Sequence, residues 1–522
     1  MSLFNQRKSR NRATVNHMGA PAYHYPDEYR LVSVLLTSFV QDSYYRSADQ
    51  GMADLEAALA RVDAQFAAKA AVYARRAFGM RSVSHLMAAL LAERASETSW
   101  GASFYDQVVV RVDDMLEILA AYRQRYGDRR APTNAMKKGF SRAFDRFDGY
   151  QLAKYRGEGK SVKLVDLVNL VRPVPTQKNA KALSELVAGT LRNQSTWESR
   201  ISAAGQRTER APEAKQEAWA DLIREGKLGY MALLRNLRNL YEAKLSKQDF
   251  RKVIDQVADE RAVRRSRQFP FRFLSAYGEL TKLKGPRKKG ILFERDDSRR
   301  LDQLLEALEK AVNVSVKNLP LLGGKTLILT DNSGSMRGDA GGGSAVSALS
   351  RRTTADIANL FAVLYWTRAY NTYVGLFGDR LINGEMDRTR GVFENFRTLN
   401  RQAQSCGGAT ETGIFDAFER LIEQREMVDR IVIFSDLQIG KGCRWYTGDG
   451  RRGGDFNKLY EAYRKINPEV KVFSVDLRGY GTTVFRVGEY KLAGWSEKIF
   501  DIMERCERDP KALITEIRSL EW

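Results

Sequence analysis

The sequence predicts two parts, an α-helical repeat array over residues 21–319 and an α/β domain with a Rossmann-like sheet over residues 320–522. In the first part, apolar residues recur at helical spacing between short Gly or Pro stops, which is typical of an α-solenoid. In the second part, strand and helix patterns alternate, which favours a parallel sheet covered on both faces. The charge separates the parts as well: residues 1–320 hold 56 Lys and Arg against 37 Asp and Glu, whereas residues 321–522 hold 29 against 27.

The first part reads as helices without strand pairs, after a flexible basic tail at residues 1–20. Apolar positions from Leu55 to Tyr73 fall on one face and predict one long helix that Gly79 ends. Similar patterns predict helices at residues 108–126, 164–171, 182–191, 211–224, 231–240, 249–263 and 301–312. About 300 residues at about 40 to 47 per unit would give about seven helical pairs. An irregular helical domain is the alternative that periodicity leaves open.

The second part contains four predicted strands, at residues 326–330, 373–377, 431–435 and 470–477. Helices are predicted between and after them, at residues 354–369, 412–423, 456–466, 495–506 and 510–520. The order of these elements predicts βαβ units and therefore parallel strands.

Oxygen-bearing side chains follow two of these strands. The first strand leads into Asp331, Ser333 and Ser335, and the strand at 431–435 leads into Asp436. A Gly-rich loop at residues 405–413 adds the hydroxyl of Thr410. The carboxyl ends of parallel strands meet at one edge of the sheet, and an all-oxygen ligand set suits Mg²⁺. We therefore predict a Mg²⁺ site at these five residues; the alternative is that they only cap the following turns.

Composition excludes several classes of site. The only histidines are His17, His24 and His85, so the second part has none of its own for a zinc site or a Ser-His-Asp triad. The three cysteines, Cys406, Cys443 and Cys506, are widely spaced and are predicted to be free thiols. A metal-dependent hydrolase would need a base and an activated water, and no candidate base is apparent, so we predict no enzyme activity. The sequence shows neither an apolar segment of about 20 residues nor the pattern of a signal peptide, so we expect a soluble cytoplasmic protein.

A basic excess confined to one part is the electrostatic signature of a polyanion partner such as RNA. Lys154 and Arg156 flank Tyr155, a combination that can hold phosphates and stack a base. The densest basic run begins at Arg264. The predicted RNA-binding residues are Lys137, Lys138, Arg142, Lys154, Arg156, Arg235, Arg238, Arg264, Arg265, Arg267, Arg272 and Lys288. A basic surface that serves only solubility is the alternative.

Two sets of motifs resemble known modules. The sequence DNSGS from Asp331, the later GGATETG and the strand-terminal FSD are similar to the metal-ion-dependent adhesion site of a von Willebrand A domain. The segments at residues 136–156, 195–205, 231–240 and 269–280 resemble the TROVE module of the Ro60 family, which joins a ring of HEAT-like repeats to such a domain.

The resemblance implies binding of small noncoding Y-type RNA on the outer surface of the ring. It further implies capture of the single-stranded 3′ ends of misfolded RNA in the central hole, and a link to an exoribonuclease. An acidic group of a protein partner would complete the metal shell, and a closed ring within one chain favours a monomer. One feature departs from animal members, in which a histidine contributes to the Y RNA surface near the position of Val162 or Leu164.

These observations favour a Ro60-like RNA-binding scaffold that acts in RNA quality control, processing or decay. The alternative from a different class is a protein-interaction scaffold that works through the Mg²⁺ site, with RNA binding secondary.

Overall fold

A computed structural model describes residues 12–37, 45–192, 197–206, 211–266, 268, 270–284, 292–317, 319–320, 323–338, 344–346, 352–409, 412–441, 454–496 and 498–522. Of helix residues 292–296, only the backbone is described. Within these ranges the fold is mainly helical with a mixed β-sheet. No described helix is both long and apolar enough to cross a membrane.

The N-terminal part begins with two short strands, β1 (Ala13–Val15) and β2 (Pro21–His24), and continues as helices to Val316. The helices are α1 (Asp27–Thr37), α2 (Ala48–Ala60), α3 (Ala64–Arg76), α4 (Ser82–Leu90), α5 (Ala92–Ala95), α6 (Gly101–Val108), α7 (Val112–Tyr126), α8 (Asn134–Ala143), α9 (Gly149–Lys154), α10 (Leu164–Val171), α11 (Ala180–Val187), α12 (Trp197–Gly205), α13 (Ala211–Arg224), α14 (Tyr230–Arg235), α15 (Leu237–Glu242), α16 (Lys247–Ala258), α17 (Glu260–Ser266), α18 (Pro270–Thr281) and α19 (Leu292–Val316).

The C-terminal part alternates strands and helices. Its elements are β3 (Thr326–Asp331), α20 (Gly334–Arg337), α21 (Thr354–Arg368), β4 (Thr372–Phe377), β5 (Leu381–Asn383), α22 (Val392–Ala403), α23 (Gly413–Glu423), β6 (Arg430–Ser435), α24 (Phe456–Ile466), β7 (Lys471–Asp476), β8 (Thr482–Thr483), β9 (Glu489–Ala493), α25 (Lys498–Cys506) and α26 (Ala512–Arg518).

Local signals explain where several helices begin and end. The prediction of a single long helix from Leu55 to Tyr73 is wrong, because α2 ends at Ala60 and α3 begins at Ala64. Asp63 caps the N-terminus of α3 by accepting a hydrogen bond from the amide of Phe66 at 2.9 Å. Similarly, the predicted helix at 231–240 is divided into α14 and α15 at Asn236. By contrast, α7 ends at Gly127 as predicted, with φ at 93°, a backbone conformation that suits glycine.

The main sheet has the strand order β5-β4-β3-β6-β7-β9, in which only β5 is antiparallel to its neighbour. The predicted strands 326–330, 373–377, 431–435 and 470–477 correspond to β3, β4, β6 and β7, whereas β5 and β9 were not predicted. Strands β3, β6 and β7 are adjacent and parallel, so their carboxyl ends meet at one edge.

The helical part contacts the C-terminal part at both of its ends. Near its start, α1 packs against β9, and β2 pairs with β8 through Tyr23 and His24. Near its end, α19 packs against α21 and α22, and Tyr277 of α18 lies 4.3 Å from Phe393 between ring centroids. Residues 12–20, which were predicted as part of a flexible tail, instead contribute β1 and contacts to the C-terminal part, because strand pairing orders this segment.

Candidate cation site and candidate nucleic-acid interface

The two predicted carboxylates of the cation site lie where expected, at the ends of neighbouring strands. Asp331 is the last residue of β3, and Asp436 follows the last residue of β6. Both are fully buried, and so are Ser333 and Ser335, which are at most 4% exposed. The parallel pairing of β3 with β6 therefore brings together side chains that are far apart in the sequence.

Hydrogen bonds hold the first carboxylate in place. Asp331 Oδ1 accepts a bond from the Ser333 amide at 3.0 Å, and Oδ2 accepts one from Ser435 Oγ at 2.6 Å. The hydroxyl oxygens of Ser333 and Ser335 lie 3.2 Å apart. The Gly334 amide donates to the carbonyl of Gly408 at 2.7 Å, which ties this turn to the Gly-rich loop. Thr410, in the same loop, lies outside the described residues.

The electrostatics of this site favour a cation. Burial, with a further contribution from the nearby charge of Asp436, raises the pKa of Asp331 to about 7. Burial also raises the pKa of Asp436, against the opposing effects of the Gln438 amide and Ser335. In the described part of the chain, Asp436 Oδ2 is buried without a hydrogen-bond partner. Two buried carboxylates with one unpartnered oxygen are costly unless a positive charge accompanies them.

The donor set fits a hard cation better than a soft one. Among the residues that the structure describes, no group of three or more His, Cys, Asp or Glu could hold a metal ion. A cation here would depend on Asp331, Asp436 and the hydroxyls of Ser333 and Ser335, which are the oxygen ligands that Mg²⁺ accepts together with water. Cys406 and Cys506 are free and buried, and burial raises the pKa of each thiol to about 12, so neither thiol is a ready metal ligand.

The fold brings basic residues to this site that sequence reasoning missed. His17 lies within electrostatic range of Asp436, and its amide donates to Gln438 Oε1 at 2.9 Å. Asn16 Nδ2 donates to the carbonyl of Ile439 at 2.8 Å. Arg478, which follows β7, is also close enough to Asp436 to lower its pKa. No sequence signal connects Asn16 and His17 to Asp436, because their approach depends on the pairing of β2 with β8. Arg478 directly follows β7, so the parallel pairing of β6 with β7 places it at the same edge as Asp436.

A third buried carboxylate, Asp476 at the end of β7, is already satisfied. It accepts hydrogen bonds from Ser33 Oγ at 3.0 Å and from the amides of Arg478 and Gly479 at 2.9 and 2.7 Å. Burial raises its pKa to about 6, against these hydrogen bonds. Asp476 therefore joins α1 to the sheet and has a structural role.

The predicted RNA-binding residues in and after α8 and α9 differ in whether their side chains are free to contact a phosphate. Lys138 and Arg142 are exposed, Lys137 is half-buried, and none of the three is in an ion pair with a described residue. In contrast, Lys154 pairs with Glu198 at 2.9 Å. Arg156 pairs with Glu158 at 2.9 Å and donates to the carbonyl of Leu191. These two side chains hold neighbouring segments together and are less available for phosphate than their sequence context predicts.

The clearest basic cluster lies between helices α14, α15 and α18. Arg235, Arg238 and Arg272 line a cavity of about 310 Å³, together with the polar side chains of Gln268, Ser275 and Asn239 and the carboxylate of Glu279, which lies 3.8 Å from Arg238. Arg238 pairs with Glu242 at 2.9 Å, but Arg235 and Arg272 have no ion-pair partner among the described residues. Burial and the nearby charge of Arg235 lower the pKa of Arg272. Two arginines that line one cavity and have no ion pair with a described residue are an arrangement suited to an anion.

The other residues predicted to bind RNA lie outside this cavity or outside the described residues. Arg264 is exposed and pairs with Glu260 one turn earlier, at 2.7 Å. Arg265 is exposed, without an ion pair to a described residue. Arg267 and Lys288 lie outside the described residues.

Comparison with known proteins identifies one family match and one similar fold. The family model of the TROVE domain matches residues 188–295, a range that includes both Arg235 and Arg272. The crystal structure of Deinococcus radiodurans RO (RSR) protein superposes with a TM-score of 0.57 at 18% identity, covering 94% of this chain and 99% of that one. That similarity concerns the fold.

Two curated relatives share part of their sequence with this chain. Telomerase protein component 1 of Mus musculus is 41% identical over 93 residues, which are 18% of this chain. The same protein of Rattus norvegicus is 24% identical over an alignment of 545 residues, covering 74% of this chain. The matches span only 3% and 20% of the length of those proteins.

Part of the helical array, residues 188–295, matches the TROVE domain, and the array contacts the C-terminal part at both of its ends, so the chain is a protein of the TROVE-domain class. Over residues 188–295 the chain is similar to the TROVE domain, and in its fold it is similar to the Deinococcus RO protein.

Proposed function

We propose that this protein binds single-stranded RNA through its TROVE helices and acts as a scaffold, without catalysis. The observation that supports this function is the cavity between α14, α15 and α18, where Arg235 and Arg272 lack carboxylate partners in the described structure. Guanidinium groups bind phosphate through paired hydrogen bonds. The strongly basic balance of residues 1–320 would attract RNA to this surface before specific contacts form.

The proposed RNA ligands are small noncoding Y-type RNAs and the 3′ ends of misfolded RNAs. The contacts of α1 and α19 with the C-terminal part are compatible with a helical ring closed within one chain, and therefore with a monomer. A closed ring of HEAT-like repeats would offer an outer basic surface, where Lys138 and Arg142 are exposed, and a hole for single strands. In this proposal the protein presents such RNAs to an exoribonuclease during quality control, processing or decay in the cytoplasm.

RNA binding is expected to prefer a free single-stranded 3′ end and to weaken with salt. The measurement is a titration of the protein with a structured RNA carrying a 3′ tail and with the same RNA lacking it, at two salt concentrations. Each phosphate contact to a single strand should add about 0.7 to the slope of log affinity against log salt. Equal affinity for both RNAs would contradict capture of the 3′ end, and a flat salt dependence would contradict RNA binding through the arginines.

The C-terminal part is proposed to be a von Willebrand A domain with a metal-ion-dependent adhesion site. Asp331 would anchor Mg²⁺ directly or through water, the hydroxyls of Ser333 and Ser335 would be direct ligands, and Thr410 and Asp436 would complete the shell. The unpartnered Asp436 Oδ2 supports this assignment. A bound Mg²⁺ would supply a Lewis-acidic position for an acidic group of a protein partner.

Asp331→Asn is expected to abolish Mg²⁺ binding and to leave RNA affinity nearly unchanged, because the two sites lie in different parts of the chain. Mg²⁺ at about 100 times its dissociation constant should stabilise the wild-type protein by about 2.7 kcal/mol and the variant by none, measured by thermal unfolding with and without Mg²⁺. Glu423→Ala, which removes an exposed carboxylate of α23, is the control and should keep the full effect. Unchanged stabilisation of Asp331→Asn would contradict the site.

The second candidate function is a protein-interaction scaffold that works through this Mg²⁺ site, with RNA binding secondary. The close pair of Asp331 and Asp436 favours it specifically. The two functions are separated by the preceding experiments: loss of RNA binding in Asp331→Asn would mean that both parts act as one unit.

A further inference from the structure

One edge of the main sheet is only half covered. Strand β5 pairs with β4 from Gly375 to Phe377, which is the second half of β4. The chain then leaves the sheet, since the amide of Glu385 donates to Gln402 Oε1 at 3.0 Å. Beside Thr372, the first residue of β4, no strand of the described structure continues the sheet. The first half of β4 is therefore an open edge.

The backbone of β4 presents hydrogen-bonding groups along this open edge. Its even-numbered residues face the side of β5, where the Gly384 amide donates to the carbonyl of Val374 at 2.7 Å. Because strand residues alternate in direction, the amide and carbonyl of Thr372 face the same side, beyond the end of β5. Unpaired groups of this kind at a sheet edge are a template for a further strand.

A cavity of about 860 Å³ runs along the open edge. It is lined by four consecutive residues of β4, from Thr372 to Gly375, and by one side of α23. The hydroxyl of Thr372 is buried and has no hydrogen-bond partner in the described part of the chain. The aliphatic residues that line the cavity are Leu327, Leu329, Val374, Leu381, Leu421 and Val428. The open edge therefore borders a groove with a largely aliphatic floor.

Large apolar side chains are exposed at the same place. Tyr373 and Met427 line the cavity and are each 53% exposed, and Tyr370, two residues before β4, is 86% exposed. Sheet edges are normally protected by charged residues, proline or covering loops. The segment from Tyr370 to Val374 contains neither a charged residue nor a proline. An unprotected edge beside exposed apolar side chains is typical of an interaction surface.

The charges that line the cavity favour an uncharged ligand. Lys325 and Arg420 are balanced by Glu385 and Glu426, and Lys325 pairs with Glu426 at 2.8 Å. Arg420 donates to Asn383 Oδ1 at 3.1 Å. A groove without net charge does not attract a polyanion such as RNA, whereas its aliphatic floor favours apolar side chains.

We propose that this groove binds an extended, uncharged and largely apolar segment of a partner protein, which adds a strand to the open edge of β4. The backbone of the segment pairs with Thr372, and its alternate side chains fill the cavity against α23. A helix could bury apolar side chains here but would leave the edge groups of β4 unpaired. The groove lies at the amino end of β4, whereas Asp331 and Asp436 lie at the carboxyl ends of their strands, so this site is separate from the cation site.

The probe is an uncharged, fluorescently labelled hexapeptide in which valine and threonine alternate, titrated with the full-length protein and followed by fluorescence anisotropy. Two further peptides carry backbone N-methyl groups, one on its valines and the other on its threonines. Because an added strand pairs through alternate residues only, one of the two should bind like the unmodified peptide and the other about tenfold more weakly or less. Equal affinity of all three peptides, loss of binding in both N-methylated ones, or no binding of the unmodified peptide at millimolar concentration would overturn the proposal.

Matched variants of one residue separate the backbone from the side chain. Thr372→Pro removes the amide at the open edge, and proline is tolerated at the first residue of a strand, so the variant should fold and bind the peptide about tenfold more weakly. Thr372→Val keeps the amide and should bind like the wild-type protein. If Thr372→Pro lowers the unfolding temperature, Leu327→Gln, in the half-buried cavity floor, takes its place and should also weaken binding. Full peptide affinity in both Thr372→Pro and Leu327→Gln would overturn the proposal.

Two further measurements distinguish this groove from other surfaces. Peptide affinity should be equal at low and high salt, because the groove has no net charge, and RNA affinity should be unchanged in Thr372→Pro. A steep salt dependence would place the peptide on a charged surface and overturn the proposal. Sedimentation of the protein alone tests a second copy as the occupant: a concentration-dependent dimer that Thr372→Pro disrupts would assign the edge to another copy of this chain and overturn the partner protein.

Discussion

Replacing both Arg235 and Arg272 by glutamine is expected to weaken binding of single-stranded RNA by roughly 25-fold at about 0.1 M salt, because each lost phosphate contact removes about 0.7 from the log–log salt slope. The two arginines line one cavity and have no ion-pair partner among the described residues, so their charge is available to a ligand. The measurement is a binding titration at several salt concentrations. The slope should decrease by about 1.4 along with the affinity.

The matched control removes the same number of charges from arginines that are already paired. Arg130 pairs with Glu93 at 2.8 Å, and Arg251 pairs with Asp255 at 3.7 Å, and all four side chains are well exposed. The Arg130→Gln and Arg251→Gln double variant should bind RNA nearly as well as the wild-type protein. An equal loss in both double variants would show that net charge, and not the cavity, determines affinity.

Asp114→Asn is expected to lower the free energy of unfolding by about 3–5 kcal/mol, the cost of removing one partner from a buried ion pair. Asp114 is 0% exposed and joins three helices: it pairs with Arg75 of α3 at 2.8 Å, bonds His85 of α4 at 2.9 Å and accepts the amide of Val110 before α7 at 2.9 Å. Neutral asparagine leaves the guanidinium of Arg75 buried without a counter-charge. Urea unfolding followed by helical circular dichroism measures the effect.

The pH dependence of this variant gives a further check. Burial by itself would raise the pKa of Asp114, but the hydrogen bond with His85 and the charge of Arg75 hold it well below its usual value. Because the pKa of Asp114 is lower in the folded than in the unfolded protein, where it is about 4, the ionised carboxylate stabilises the fold above about pH 4, and this stabilisation is lost as the pH falls. The difference in free energy of unfolding between wild type and Asp114→Asn should therefore be full at neutral pH and shrink below about pH 4.

Asp113→Asn is the neighbouring control. Asp113 pairs with Arg81 at 2.9 Å and with Arg111 at 3.0 Å, both partly exposed, so its loss should cost about 1 kcal/mol or less. If Asp113→Asn and Asp114→Asn were equally destabilising, burial of the ion pair would not be the cause.

Much of the candidate cation site could be predicted because its geometry follows from local rules. β3 and β6 are parallel neighbours, and each leads into a carboxylate at its carboxyl end. This arrangement places Asp331 and Asp436 at the same edge of the sheet. The RNA-binding residues were less predictable. Whether a basic side chain is free depends on carboxylates from other helices, as with Lys154 and Glu198, and periodicity contains no information about such partners.

The helices, the parallel strands that follow them and the two strand-end carboxylates could be predicted from the sequence, because periodicity, caps and strand order act over short distances along the chain. The packing of distant segments was needed to show that Arg235 and Arg272 share a cavity, that Asp114 joins three helices, and that His17 approaches Asp436. These associations arise from the packing of distant segments, in which the pairing of β2 with β8 brings the N-terminal residues to the far end of the chain.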